Sequence, residues 1–189
     1  METGGVDRRH LLRGAGVVAL SGWAGGATSA QLAGGTAVVF LSRSGNTRTL
    51  AGHLSRRFGA DLVEIRPRDP WPEDYEEMVA WANQWRESER LLPLAATPDL
   101  SGYRTVFLGF PVWGMALPAP MRSLLARTDL SDKSVLIFVT HGGYGAGSSL
   151  EGVRRLAPRA SLCEPFVLEC DQERSSLDAR CGDGLTTSP

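Results

Sequence analysis

The feature that most constrains the fold is a regular alternation of short apolar runs with longer amphipathic stretches between positions 37 and 168. The runs are rich in β-branched and aromatic residues, which is typical of buried strands. The pattern predicts strands at 37–41, 61–66, 104–110, 134–140 and 160–168, and helices at 47–58, 73–91, 118–127 and 147–156. Four strand–helix units and a fifth strand predict an α/β domain with a parallel sheet and helices on both faces.

Periodicity is clearest in the second predicted helix. The apolar residues on one side of it are Tyr75, Met78, Val79, Ala82 and Trp85. Trp81 is a further candidate for this stripe. The stretch that follows, 92–101, carries Pro93 and Pro98 and is predicted to be a surface linker.

The turn at 42–47 has the composition of a phosphate-binding loop between the first strand and the first helix. Its three hydroxyl groups are those of Ser42, Ser44 and Thr47. Gly45 can adopt a left-handed backbone, and the free N–H groups of a helix start attract an anion. The alternative is a capped strand-to-helix turn in which Asn46 or Thr47 is the N-cap.

Two further loops follow predicted strands. The third strand leads into 109–115, where Trp113 lies in a turn, and the fourth leads into 140–148, a glycine-rich loop that contains Tyr144. Ligands of such sheets bind outside the carboxyl ends of the strands. A phosphate-binding loop flanked by two loops with aromatic residues suits a planar heteroaromatic ring on a phosphorylated tail.

The N-terminus has the features of an export signal. Arg8 and Arg9 precede a weakly apolar, small-residue stretch at 14–30, which is too short and too rich in Gly, Ser and Thr for a membrane span. This arrangement predicts a twin-arginine signal peptide over 1–30, cleaved after Ala30, and a periplasmic or extracellular protein without a stable membrane anchor. The twin-arginine route carries folded proteins, which suits a chain that collects a cytosolic cofactor. The alternative is a disordered or loosely helical basic leader.

Charge and motif content argue against several other classes. The formal net charge is −1 and no basic run occurs outside the N-terminus, so a nucleic-acid partner is not expected. The sequence contains no Walker loop, dinucleotide fingerprint or Gly-x-Ser-x-Gly elbow. Its histidines and cysteines lack metal-ligand spacing, so no metal site is expected.

The three cysteines allow one plausible disulfide in an exported protein. Cys163 and Cys170 would lie about 23 Å apart in one extended strand, whereas a disulfide spans about 6 Å between Cα atoms. Cys170 and Cys181 are therefore the expected pair. Cys163 is predicted to be buried and free.

Together these motifs resemble the flavodoxins and flavodoxin-like proteins. The resemblance covers most of 31–170: the loop 42–47 resembles the family's phosphate loop for flavin mononucleotide (FMN), and 109–113 and 132–140 match further family segments. The pattern at 71–75, Trp-Pro-Glu-Asp-Tyr, is similar to a motif of a bacterial subgroup with exported members. The resemblance implies a doubly wound five-stranded parallel sheet in the order 2-1-3-4-5 with bound FMN.

The resemblance also implies roles for individual residues. Those that would hold the FMN phosphate are Ser42, Arg43, Ser44, Gly45, Asn46 and Thr47. Those that would stack on the isoalloxazine or bond its edges are Pro111, Val112, Trp113, Gly114, His141, Gly142, Gly143, Tyr144 and Gly145. Arg43 either neutralises the phosphate dianion or lies in solvent. Tyr144 is either a second stacking partner or a residue of a mobile loop, and the alternative for Trp113 is packing in the core or on the surface.

The chain departs from the family pattern in three respects. Gly114-Met115 stands where many subgroup members have a second aromatic, which leaves one side of the ring more open. The near-neutral charge differs from the strongly acidic carriers of the family. The segment 171–189 is a polar tail in which no closing helix is recognised.

The missing helix has a topological consequence. In the order 2-1-3-4-5, right-handed crossovers place the first helix on one face and the next three on the other. Apolar sheet surface beside 47–58 would then stay exposed, and a homodimer would cover it. A truncated C-terminus explains the polar tail equally well.

Two functional classes follow from these observations. The preferred one is an FMN-binding protein that mediates electron transfer with a redox partner. The alternative is an FMN-dependent NAD(P)H:quinone or nitro-compound oxidoreductase with a small-molecule electron acceptor. The open ring face favours the oxidoreductase, whereas the lack of a recognisable nicotinamide-binding motif favours the carrier. A scaffold that has lost its flavin is a third interpretation.

Overall fold

The computed structural model describes residues 35–171. Its elements are β1 Gly35–Phe40, α1 Asn46–Phe58, β2 Asp61–Glu64, α2 Tyr75–Glu87, β3 Tyr103–Pro111, α3 Ala119–Leu125, β4 Ser134–His141, α4 Ser149–Leu156, β5 Ser161–Leu162 and β6 Phe166–Glu169. Every strand and helix expected from the alternation is present, with shifted ends. The prediction of an α/β domain is confirmed.

The strands form one parallel sheet. Its order is β2-β1-β3-β4-β5, and β6 also pairs with β4, so the predicted order 2-1-3-4-5 is confirmed. Val38, Phe107 and Leu136 lie side by side across the three central strands and illustrate the register. The predicted single strand at 160–168 is divided into β5 and β6, because Pro165 between them has no N–H to donate to the ladder.

One face of the sheet packs against α1. Its central side chains are at most 3% exposed: Val38, Phe40, Phe107, Leu136 and Phe138. The ring of Phe58, at the end of α1, stacks on Phe107 with a centroid distance of 5.0 Å, and Phe166, Leu168 and Cys170 complete the cluster. The expectation of exposed apolar surface on this face is wrong, because these side chains are buried within the chain. The homodimer predicted from it loses its basis.

The opposite face is covered by α3, α4 and the extended segment 92–100. Leu92 and Leu100 are buried, and Leu94 packs against the core cluster of this face. The backbone of Leu94 forms an antiparallel bridge with Pro67. The segment is a linker without helix or strand, as predicted, and Ala95, Ala96 and Thr97 are exposed, but the burial of its leucines was not expected.

Helix α2 is shorter than predicted and packs less tightly than the other crossover helices. It is capped by Asp74, whose Oδ1 accepts the Glu77 N–H at 3.0 Å. Only Met78 is buried, whereas Tyr75 and Val79 are 37% and 40% exposed, so the predicted apolar stripe is wrong at these two positions. The physical reason is that 92–100 occupies the sheet face. Helix α2 packs on α3 and on the loop after β3.

The cysteines within the described residues differ partly from expectation. Cys163 is half-buried, and burial raises the pKa of its thiol. Cys170 is buried. Cys181, the rest of the tail at 172–189, and the predicted signal peptide at 1–30 lie outside the described residues, so these predictions stay predictions. Between positions 35 and 171, no helix is long and apolar enough to cross a membrane.

Candidate functional site

Thr140 joins the three loops that leave the carboxyl edge of the sheet. Its hydroxyl oxygen lies 2.8 Å from Oγ1 of Thr47, and its carbonyl accepts the Val112 N–H at 2.9 Å. Thr47 and Thr140 are 2% and 1% exposed. Thr140 is not among the site residues predicted from the sequence. The sequence feature that could have indicated it is a hydroxyl residue at the end of an otherwise apolar strand.

The first loop ends at a glycine that begins α1. Gly45 is the N-cap residue with φ 100°, and as a glycine it has no side chain to cap the helix. The predicted capping by Asn46 or Thr47 is wrong, because the Thr47 hydroxyl is directed to Thr140. The buried hydroxyl of Ser42 instead accepts the N–H of Arg48 at 3.2 Å, which fixes the loop against the first turn.

Asn46 connects this loop to the end of the described chain. Its side chain is buried, and Nδ2 donates to Oγ of Ser44 at 3.3 Å and to the carbonyl of Asp171 at 2.5 Å. Asn46 and Asp171 are 125 positions apart, so local sequence gave no indication of this bond. The end of the sheet is thereby held against the loop.

Arg43 contacts the start of α2. Its Nη2 donates to the carbonyl of Glu73 at 3.0 Å, and its guanidinium carbon lies 5.7 Å from the ring centroid of Tyr75. This distance is within the range of a cation–π contact. Arg43 therefore connects the loop 42–47 to the start of α2.

The second loop is a tight hairpin. Trp113 and Ala116 exchange backbone hydrogen bonds of 3.4 and 3.1 Å around Gly114 and Met115, which have φ 56° and 62°. Two consecutive positive φ values are typical of a type I′ turn, and a non-glycine residue there is strained. The carbonyl of Met115 accepts both the N–H and the hydroxyl of Ser148, at 2.8 and 3.1 Å, which ties this hairpin to the third loop.

The indole of Trp113 is partly buried among other tryptophans. It lies edge-to-face with Trp71, at a centroid distance of 5.8 Å, and with Trp81, at 6.4 Å. The interplanar angles are 84° and 78°. Trp71 belongs to the motif at 71–75, but neither it nor Trp81 was predicted to be a neighbour of Trp113.

The third loop is organised by His141. Its Nδ1 accepts the N–H groups of Gly143 and Gly145, both at 3.1 Å, so this ring nitrogen carries no proton in the arrangement described. Gly143 and Gly145 have φ 108° and 74°, in the region that favours glycine. Tyr144 is 78% exposed, whereas Gly142 is partly buried.

All the residues predicted for the site lie on these three loops or at the ends of the strands and helix that adjoin them. They are Ser42, Arg43, Ser44, Gly45, Asn46, Thr47, Pro111, Val112, Trp113, Gly114, His141, Gly142, Gly143, Tyr144 and Gly145. Within 35–171 no cluster of histidine, cysteine and carboxylate side chains could hold a metal ion. The edge therefore offers hydroxyls, backbone groups and indoles, which suit binding of an anion and an aromatic ring.

Comparison with solved structures shows the same architecture elsewhere. A candidate flavoprotein from Bacteroides uniformis is 20% identical, with a TM-score of 0.66 over 74% of this chain and 93% of that one. A candidate flavoprotein from Bacteroides eggerthii is 22% identical, with a TM-score of 0.65 over 79% and 96%. A flavoprotein in complex with FMN from Lactobacillus acidophilus is 19% identical, with a TM-score of 0.58 over 78% and 98%. These likenesses show the fold.

Family membership rests on the sequence comparison. No curated protein matches the chain significantly. The family model described as flavodoxin matches residues 36–181, which is most of the chain and includes all three loops of the site. This chain belongs to the flavodoxin family.

Proposed function

We propose that this protein binds FMN and mediates electron transfer with a redox partner. The observation that carries the proposal is the glycine N-cap of α1, Gly45, flanked by the buried hydroxyls of Ser42 and Thr47. An N-cap without a side chain leaves room for a phosphate at the positive end of the helix dipole. Family membership supports the same cofactor.

The charges around the loop suit a phosphate. The first turn of α1 has no acidic residue. The carboxylate of Glu64 accepts hydrogen bonds from Arg48 at 2.5 Å and from Arg66 at 2.6 Å, so two guanidinium groups offset its charge. Backbone N–H groups and hydroxyls, without a lysine, would therefore hold the anion.

The other two loops would hold the ring. Trp113 would provide the aromatic face, and backbone groups of the hairpin and of the loop at 141–145 would bond the ring's edges. FMN would supply the redox chemistry when bound. The chain's residues would bind and orient it, and an electron-rich indole beside the ring would disfavour added negative charge on it.

Reconstitution tests this proposal directly. The full chain is purified, titrated with FMN, FAD and NAD separately, and followed by visible absorbance and flavin fluorescence. We expect stoichiometric FMN binding and no binding of FAD or NAD, because one phosphate-sized loop is present without a second glycine motif for a pyrophosphate. A colourless protein that ignores added FMN would overturn the proposal.

A groove favours the oxidoreductase as a second candidate. It has a volume of about 250 Å³, lies beside Ala116 and Ser148 of the two ring loops, and is lined by Arg86, Arg122 and Arg155. These three arginines outnumber the two acidic residues of the lining, Glu89 and Glu151. Such a groove suits the phosphates of a nicotinamide nucleotide.

The two candidates differ in their kinetics. An oxidoreductase would oxidise NADH or NADPH with a quinone or nitroaromatic acceptor, and Arg155→Ala would raise the KM for the nucleotide. A carrier would be reduced only through a protein partner. Steady-state nucleotide oxidation by the FMN-loaded protein, with and without acceptor, separates them.

We further propose that residues 1–30 direct export by the twin-arginine route. The basis is the arginine pair followed by a stretch of small residues that ends with Thr28-Ser29-Ala30, where we expect cleavage. The mature protein would then act in the periplasm or outside the cell.

A further inference from the structure

We propose that Trp71 and Trp81 are positioning residues that hold the indole of Trp113 ready to stack on the isoalloxazine. The inference rests on the proposed binding of FMN. Its starting point is that Trp113 has perpendicular aromatic neighbours at centroid distances of 5.8 and 6.4 Å. Edge-to-face pairs at these distances are attractive beyond the area they bury. Two of them restrict rotation of the Trp113 side chain more than one would.

The backbone of Trp113 is fixed from the same side. Arg86 of α2 donates from Nη1 to the carbonyl of Gly114 at 3.2 Å. A side chain at Gly114 would meet this guanidinium, because an added Cβ would lie 1.9 Å from Nη1 of Arg86. Helix α2 therefore holds both the backbone of the hairpin and, through Trp81, the indole.

Helix α2 is fastened at both ends. At its start, Arg43 bonds the carbonyl of Glu73 and lies over Tyr75. At its end, Nη2 of Arg122 donates to the carbonyls of Trp85 and Arg90 at 2.7 and 2.8 Å. These contacts orient the helix without a large buried apolar face.

The packing of α2 supports a role at the site. Only Met78 of the helix is buried, and the adjoining sheet face is covered by the segment 92–100. Helix α2 contributes little to the core but supplies Trp81 and Arg86 to the hairpin. A helix with few core contacts and several contacts to a loop is expected where the helix shapes a binding site. A rigid neighbour lowers the entropy lost when a stacking residue is ordered.

The test compares two leucine variants of the same helix in the full chain. Trp81→Leu removes one ring neighbour of Trp113. Trp85→Leu is the matched control, because the ring of Trp85 pairs with Trp81, at 6.2 Å, and has no ring contact with Trp113 among the described residues. Both variants are titrated with FMN, and the residual flavin fluorescence is measured at saturation. Thermal unfolding of each apoprotein is measured in parallel.

We expect Trp81→Leu to bind FMN about two- to tenfold more weakly than the wild type. Its saturated complex should fluoresce more strongly, because a less ordered Trp113 quenches the flavin less. Trp81→Phe should restore most of the quenching, and Trp85→Leu should match the wild type. Trp71→Leu should behave as Trp81→Leu does.

Other outcomes would overturn the inference. Unchanged affinity and fluorescence in Trp81→Leu, with FMN bound normally by the wild type, would show that Trp113 needs no positioning. Equal losses in Trp81→Leu and Trp85→Leu would point to general loosening of α2. Failure of the wild type to bind FMN would reject the proposed function as well. In both results above, by contrast, the wild type binds FMN.

Discussion

The hydroxyl oxygens of Thr47 and Thr140 lie 2.8 Å apart in the interior, between the first turn of α1 and the end of β4. One hydroxyl donates and the other accepts, so each satisfies the other away from water. The pair connects the proposed phosphate loop to the strand that leads into the glycine-rich loop. Changes in this pair are therefore expected to affect both stability and flavin binding.

Thr140→Val should destabilise the protein by about 1–3 kcal/mol, because it leaves the buried Thr47 hydroxyl without its partner. Chemical denaturation of the apoprotein measures this change. Thr128→Val is the control, since the buried Thr128 hydroxyl has no partner in the described structure and its loss should cost little. Equal destabilisation by both variants would show that the hydroxyl pair has no special role.

Gly45→Ala should weaken FMN binding and cost about 1–2 kcal/mol of stability, because alanine is strained at φ 100°. Isothermal titration and thermal unfolding measure the two effects. Gly59→Ala is a matched control at the other end of α1, where φ is 58° and an added Cβ would meet no atom within 4 Å. It should lose stability but keep FMN affinity. Similar losses of affinity in both would argue against a phosphate at Gly45.

The fold was predictable because the spacing of apolar residues in strands and helices is visible in the local sequence. The strands at 37–41, 104–110 and 134–140 correspond to β1, β3 and β4, which are buried on both faces and therefore read as continuous apolar runs. The stretch 92–101 is the linker that its prolines suggest, but the burial of its leucines was missed, because they have no regular period. Their burial depends on the sheet face that they meet.

The site was predictable only in its local parts. Hydroxyls and glycines at 42–47 follow one another in the chain, so their common loop was visible. The bonds from Thr47 to Thr140 and from Asn46 to Asp171 span 93 and 125 positions, and no local pattern encodes them. The contact of Trp113 with Trp71 depends in the same way on how the loops meet.

Trp113→Ala should weaken FMN binding by about 1–3 kcal/mol, because it removes the stacking face. It should also raise the midpoint potential for full reduction of the bound flavin, since water can then solvate the reduced ring. Spectroelectrochemical titration at saturating FMN measures the potential. Trp113→Phe should retain most of both properties. Unchanged affinity and potential in the alanine variant would mean that Trp113 serves only to pack the loops together.

Changing both Arg8 and Arg9 to lysine should keep the full chain in the cytoplasm, because the apolar stretch after them is too weak to direct export alone. Cell fractionation followed by immunoblotting measures the distribution. Arg13→Lys is the control, since it is the same kind of substitution outside the arginine pair. This variant should be exported normally. Export of the double variant would show that another route operates.

His141→Phe should loosen the glycine-rich loop, because phenylalanine replaces a ring of similar shape but has no acceptor for the N–H groups of Gly143 and Gly145. Loss of a net hydrogen bond of about 1 kcal/mol predicts roughly fivefold faster hydrogen exchange at each of these amides. The amide of Val139, inside β4, serves as the internal reference and should not change. His141→Asn should restore protection, since its side-chain oxygen can accept a hydrogen bond near the position of Nδ1. If exchange at Gly143 and Gly145 is the same in all three proteins, the loop is held by its glycine backbone and the histidine does not organise it.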